Sequence, residues 1–347
     1  MIYFRADAND TLASGHIMRC ITIALEFVKE GKKVTFLIAD VNSRVLLERY
    51  KLPYIILNTD WNNLENELEI LVPILKNQED VIVVDSYLVT EKYMNTLYTK
   101  VKTVYIEDQM QRKYSTHILI NYNLYHFVFD YQGKYQASET RLLLGAQYVP
   151  LRQEFSGDKK YEVRKKVNDI LIMCGGSDEK GFLKSFLSEI SCIDTLRFHI
   201  VIGAYNKDKV ELRKRYENRD NIYIYENIGN INEVMRMCDI AVSAAGNTLY
   251  ELCAVGTPTI FFTYSDNQKY DHIGFSKDDI MLYAGNIDDG KKRLIKKIAK
   301  YIIFLADDRK ARFKMSKKMA DLIDGLGAKR IVRNILEDEE NVDNTSA

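Results

Sequence analysis

The sequence predicts an α/β chain of two lobes, each built on a parallel sheet, the two facing across a cleft. Three observations predict it. Short apolar, β-rich runs alternate with helix-period segments through the first half. The alternation lapses over residues 153–166 (QEFSGDKKYEVRKK), which are charged and lack a periodic apolar face. It then restarts and continues through the second half. Repeats of strand, helix and strand give right-handed crossovers and a parallel sheet covered on both faces.

In order, Ile2-Tyr3-Phe4 reads as a first strand and His16 to about Lys29 as a helix. Val34–Ala39 is a continuous apolar run, the mark of a strand buried on both faces. Tyr54–Leu57, Val81–Asp85, Val101–Ile106 and Ile118–Asn121 continue the strands, with helices near Leu64–Leu75 and Glu91–Tyr98. Beyond the lapse, strands fall at Asp169–Met173, Phe198–Ile202, Ile222–Tyr225, Asp239–Val242 and Pro258–Phe262. Helices fall near Phe182–Ile190, Lys209–Tyr216, Ile231–Met237 and Thr248–Ala254. The expected division is a lobe over 1–152, a linker over 153–166, a lobe over 167–336 and a flexible acidic tail over 337–347. A helical stretch, Lys291–Arg333, holds 15 Lys/Arg against 4 Asp/Glu. It reads first as a solvated basic helix face, and second as a surface that attracts phosphate or membrane.

Composition narrows the function. Lys+Arg 49 balance Asp+Glu 49, which argues against a nucleic-acid binder, and 46% hydrophobic residues argue against disorder. No run approaches the ~20 apolar residues of a membrane span, so no integral membrane association is expected. Arg5, Asp7 and Asp10 stand where a secretory signal needs an apolar core. The five cysteines are scattered without CxxC spacing, which reads as reduced thiols, no metal site and a cytoplasmic protein.

The N-terminal segment carries the most chemistry. Arg5 and Asp7 follow the first strand, and the helix opens at Gly15-His16. Both features belong to the rim beyond the carboxyl ends of the strands, where such sheets bind ligands. The positive end of the helix dipole disfavours an imidazolium there, so His16 is expected uncharged and able to take a proton as general base. Asp7 is expected to hold the other ring nitrogen. Arg19, one turn on, faces the same way and suits an anion or a carboxylate. A pairing of His16 with Cys20 as metal ligands or nucleophile is disfavoured, because Cys20 lies in an apolar run.

The second lobe offers two loops suited to a diphosphate. One is Gly175-Gly176-Ser177-Asp178, where paired glycines let the backbone approach an anion. It is neither a Walker loop nor GxGxxG. The other is Gly246-Asn247-Thr248 at a helix start, with Glu251 one turn in, able to accept hydrogen bonds from ribose hydroxyls. Asn267 and Gln268 form a polar cluster past the next strand.

FRADANDTLASGHIMRC and SAAGNTLYELCAVGTPTI resemble the signatures of the UDP-2,4-diacetamido-2,4,6-trideoxy-β-L-altropyranose hydrolases of pseudaminic acid biosynthesis. The resemblance spans about residues 1–330. It continues through Asp85-Ser86-Tyr87, Glu107-Asp108, Asn121-Tyr122-Asn123, Pro150-Leu151-Arg152 and the Gly175–Asp178 loop. The second lobe also resembles the nucleotide-binding half of the peptidoglycan N-acetylglucosaminyl transferase. The resemblance implies two Rossmann-like lobes of GT-B type and a metal-independent, inverting hydrolysis at the anomeric carbon without cofactor. In it His16 is the base, Asp7 its support, and Arg5, Gly15, Arg19, Asp85, Tyr87, Asn121 and Arg152 substrate contacts beside the two diphosphate loops. Ala13 and Glu107 depart from the family pattern, where Gly and Asp are expected. The expected partner is a small UDP-sugar. A GT-B glycosyltransferase using a UDP-sugar donor is the alternative, and a non-catalytic nucleotide-sugar binder the third. The sequence leaves the oligomeric state open.

Overall fold

The computed structural model describes residues 1–9, 12, 14–110, 112–157, 161–190, 193–203, 205–226, 228–264 and 268–343. The chain divides into two units, Met1–Leu151 with Leu326–Ala347, and Arg152–Gly325.

Unit 1 carries strands β1 (Ile2–Arg5), β2 (Val34–Ile38), β3 (Tyr54–Ile56), β4 (Val81–Val84), β5 (Lys102–Ile106), β6 (Ile118–Asn121) and β7 (Arg141–Leu144). Its helices are α1 (Gly15–Lys29), α2 (Arg44–Arg49), α3 (Leu68–Leu71), α4 (Glu91–Tyr98) and α5 (Tyr131–Tyr135). The strands form one parallel sheet in the order β3-β2-β1-β4-β5-β6-β7. Its central strands are apolar throughout because helices cover both faces: Val81–Val84 is buried at every position. In α1, Ile17, Cys20, Ile21, Ala24 and Phe27 recur at helical spacing and are all buried. The helix expected over Leu64–Leu75 is broken into α3 flanked by 3-10 turns. Pro73, which has no N–H to donate, stands in the second of those turns.

Unit 2 carries β8 (Asp169–Met173), β9 (Arg197–Ile202), β10 (Ile222–Glu226), β11 (Ile240–Ala244), β12 (Thr259–Thr263) and β13 (Leu282–Asn286). Its helices are α6 (Phe182–Ile190), α7 (Lys209–Tyr216), α8 (Ile231–Met237), α9 (Asn247–Val255), α10 (Asp271–Ser276), α11 (Lys291–Asp307) and α12 (Arg309–Leu322). This sheet is also parallel, in the order β10-β9-β8-β11-β12-β13.

One expectation about the chain's course is corrected. The last helix, α13 (Gly327–Asp343), belongs to unit 1 rather than to the second lobe and packs against α1. Lys102 and Arg141 hold it by donating to the Ile335 and Asn334 carbonyls at 2.6 and 3.0 Å. Residues 337–343 of the acidic stretch continue this helix, which ends at Asp343. Strand order reverses at β1/β4 in unit 1 and at β8/β11 in unit 2. In open α/β sheets that reversal opens the crevice where ligands bind, beyond the carboxyl ends of the strands.

Candidate functional site

At the unit 1 reversal, His16 opens α1 and Asp85 directly follows β4. His16 Nδ1 lies 2.6 Å from Asp85 Oδ1. The expected partner, Asp7, is not the group that holds this ring. Asp7 Oδ2 takes Arg5 Nη1 at 2.5 Å, and its Oδ1 takes the Ala39 amide at 2.8 Å. The parallel register explains the exchange: Arg5 pairs with Val84, so the residue after β4 emerges beside the start of α1. Asp85 itself, expected to touch substrate, instead faces inward and is fully buried.

Arg19 completes the arrangement. Its Nε and Nη2 each donate to Asp85 at 2.5 Å, while Nη1 donates to Asp108 at 3.0 Å and Tyr122 at 2.8 Å. The expectation that Arg19 meets a carboxylate is met twice over, leaving the guanidinium buried rather than turned to a phosphate. Burial, the largest influence, opposes the charge on Asp85. The charge of Arg19 and the hydrogen bonds from Arg19 and His16 outweigh it and hold the carboxyl below its usual range. An ionised Asp85 only accepts, so the imidazole proton is assigned to Nδ1 and the lone pair to Nε2. The His16 side chain is 11% exposed, and no described residue bonds its Nε2.

Tyr87 stands beside this pair. Its ring meets the His16 ring edge-on with centroids 4.5 Å apart, and its hydroxyl donates to Asp108 at 2.8 Å. Gly15 faces open space at the start of α1. Arg5 and Asn121 are corrected. Arg5 is buried and donates twice to Glu67 at 2.7 Å, so it braces the interior of the rim. Asn121 is also buried, accepting from the Asn123 amide at 3.0 Å and donating to Tyr131 at 2.8 Å. Tyr131 in turn donates to Glu107, whose carboxyl burial pushes up.

Asp108, Tyr122 and Glu67 were not singled out as site residues. A polar residue within two positions after an apolar strand was the available signal for Asp108 and Tyr122. Glu67 lies in a short helical turn and carried none.

At the unit 2 reversal, Gly175, Gly176 and Ser177 follow β8, and Gly246 precedes α9. Gly246 has φ +116°, a conformation that side chains disfavour, and it turns the chain into a helix that no side chain caps. Gly203, after β9, is a residue the sequence reading missed. A Cβ there would lie 2.3 Å from the Gly176 carbonyl oxygen and 2.4 Å from that of Gly175, so only glycine lets β9 back the loop. Asp178 is corrected: its carboxylate accepts from the Phe182 and Leu183 amides at 2.8 and 2.9 Å, closing the start of α6. Gln268 braces two strand ends, accepting from the Tyr264 amide and donating to the Ala245 carbonyl, both at 2.8 Å. Asn267 lies outside the described residues, as does Ala13.

Asn247 and Thr248 begin α9, and Glu251 follows one turn in. Arg152 Nη2 donates to Glu251 at 3.0 Å, so the expected ribose acceptor and the expected anion partner hold each other. Burial pushes the Glu251 carboxyl up, and Arg152 opposes that shift.

Residues 170–331 match the glycosyltransferase family 28 C-terminal domain. This family-28-type stretch lies mostly within unit 2 and contains both glycine loops. The chain is 24% identical over 76% of its length to the uncharacterized protein MJ1062 of Methanocaldococcus jannaschii, spanning 55% of that protein. It is 24% identical over 77% of its length to the UDP-2,4-diacetamido-2,4,6-trideoxy-β-L-altropyranose hydrolase of Campylobacter jejuni, spanning 93% of it. It is 28% identical over 68% of its length to a UDP-N-acetylglucosamine–N-acetylmuramyl-(pentapeptide) pyrophosphoryl-undecaprenol N-acetylglucosamine transferase of Helicobacter pylori, spanning 61%. The solved structure of Acinetobacter baumannii MurG superposes with a TM-score of 0.66 at 13% identity, over 97% of this chain and 99% of that one. The fold is GT-B-like, with two parallel-sheet α/β units.

Among the described residues, no cluster of His, Cys, Asp and Glu could hold a metal. No helix among them is long and apolar enough to cross a membrane. The described cysteines, Cys20, Cys174, Cys238 and Cys253, are buried and free, and Cys192 lies outside the described residues.

Proposed function

We propose that the protein hydrolyses a UDP-linked diacetamido-trideoxy sugar at its anomeric carbon, releasing UDP and the free sugar. The fold and the family-28-type stretch support a GT-B-type enzyme acting on UDP-sugars. The observation that carries the finer reading is the His16–Asp85 pair, which leaves the Nε2 lone pair for a water proton.

In this reading UDP sits at the unit 2 rim. The Gly175–Gly176 backbone and the start of α9 receive the diphosphate, and Glu251 receives the ribose after releasing Arg152. Water attacks C1 as the bond from C1 to the β-phosphate oxygen breaks, which inverts C1. The water proton passes to His16 Nε2, and the electron pair leaves with UDP. Asp85 stabilises the resulting imidazolium, as carboxylate partners of catalytic histidines do. UDP is a good leaving group, so the reading calls for no cofactor. Relatedness to the Campylobacter hydrolase supports hydrolysis.

A transfer reaction is the second reading, favoured by the match to the Helicobacter transferase. There, His16 would deprotonate an acceptor hydroxyl. Acceptor-free incubation with the UDP-sugar, following UDP release and anomeric configuration, separates the two. Hydrolysis requires turnover without acceptor, lost in His16→Ala while UDP binding persists. Turnover that appears only when an acceptor is added would establish transfer.

A further inference from the structure

In unit 2, α11 and α12 are joined by one residue, Asp308, whose carboxylate caps α12 by accepting from the Ala311 amide at 2.9 Å. Each helix turns an apolar stripe inward. On α11 the stripe is Leu294, Ile295, Ile298, Ile302 and Leu305, and on α12 it includes Met315 and Met319. The outward faces are unusual for a chain of zero net charge. On α11, Lys292, Arg293, Lys296, Lys297 and Lys300 are exposed, and on α12 Lys310, Lys314 and Lys317 are exposed. None of these pairs with a carboxylate among the described residues.

A solvated helix face ordinarily intersperses Glu or Asp at i, i+4 spacing, which neutralises its cations. Here the only carboxylates from Lys291 to Ala320 are Asp307 and Asp308, both at the corner. Large apolar side chains flank that same corner in the open. Ile303 is 61% exposed, Phe304 47% and Phe313 61%. Ile303 and Phe304 lie in the last turns of α11, and Phe313 lies in the second turn of α12.

We propose that the α11–α12 corner docks on an anionic lipid bilayer. The lysines would meet lipid phosphates while Ile303, Phe304 and Phe313 enter the headgroup boundary. Unpaired cations combined with exposed aliphatic and aromatic residues suit that surface, because each contributes where the other cannot. A nucleic-acid duplex would engage the cations through its phosphates and offer the aliphatic Ile303 nothing to enter. The proposal is independent of the reaction assigned above.

The test is co-sedimentation of the full chain with vesicles of equal parts phosphatidylglycerol and phosphatidylcholine, against vesicles of phosphatidylcholine only. Binding to the anionic vesicles is expected to exceed binding to the neutral ones at least about tenfold and to weaken as salt rises. The charge variant Lys296→Glu/Lys300→Glu/Lys314→Glu should lose at least about tenfold of that affinity. The apolar variant Ile303→Ser/Phe313→Ser should also lose affinity while keeping every charge. All of these positions are exposed, so both variants should keep the parent melting temperature and UDP affinity. Equal partitioning to both vesicle types overturns the proposal. So does a charge variant that binds like the parent, or an apolar variant that binds fully and is displaced by RNA, which would mark a polyanion surface.

Discussion

His16 and Asp85 meet Nδ1 to Oδ1 at 2.6 Å although they stand 69 residues apart. The contact joins the start of α1 to the end of β4, the two places flanking the strand-order reversal of unit 1. It selects one imidazole tautomer, and it does so with a carboxylate that Arg19 holds in place through Nε and Nη2.

Replacing Asp85 with Asn removes the charge that supports an imidazolium and permits the opposite tautomer. Turnover of the UDP-sugar should fall roughly 10²–10⁴-fold. UDP affinity, assigned to unit 2 in the proposed reading, should not change. Steady-state kinetics beside a UDP titration would check this, and an Asp85→Asn enzyme of parent rate would remove the dyad.

Acid should expose the same carboxylate in stability measurements. The native state holds Asp85 below its usual range, so between about pH 4 and the lower native value the unfolded chain binds more protons. Its contribution is therefore complete above about pH 4 and declines as pH falls through that window. Denaturant unfolding across this range should show stability rising with pH, with a smaller rise in Asp85→Asn.

Arg5 and Glu67 form a buried pair, 1% and 0% exposed, that also engages Asp7 and Tyr93. Arg5→Ala would leave Glu67 charged without its partner and should cost about 3–5 kcal/mol of stability. Equilibrium urea unfolding would register the loss. A variant of parent stability with weakened substrate binding would return Arg5 to the role of a substrate contact.

Gly203→Ala would drive a methyl group into two carbonyl oxygens of the Gly175–Gly176 loop. The neighbouring backbone must shift, at a cost of about 1–3 kcal/mol. Because that loop is the proposed diphosphate seat, UDP affinity should fall along with the melting temperature. Calorimetric titration and thermal unfolding report the two effects separately.

Much of the framework was legible in the residues. Continuous runs such as Val81–Val84 announced strands buried on both faces, and the expected strands recur in the sheets with ends shifted by a residue or two. The glycine loops and the His16 turn were legible too, because chain order alone puts the segment after a parallel strand at the carboxyl rim. Strands β7 and β13 escaped notice: Arg141–Leu144 and Leu282–Asn286 have several partly exposed positions and lack the apolar continuity of central strands.

The sequence by itself determined the alternation, the two sheets and the histidine at the start of α1, since these follow from local periodicity and order. Tertiary structure alone decided that Asp85 rather than Asp7 serves His16, that Arg5 and Asn121 turn inward, and that α13 returns to unit 1. Those outcomes depend on which strands lie side by side. A crossover connection brings distant residues together according to sheet order and register, and neither is carried by any single stretch of chain.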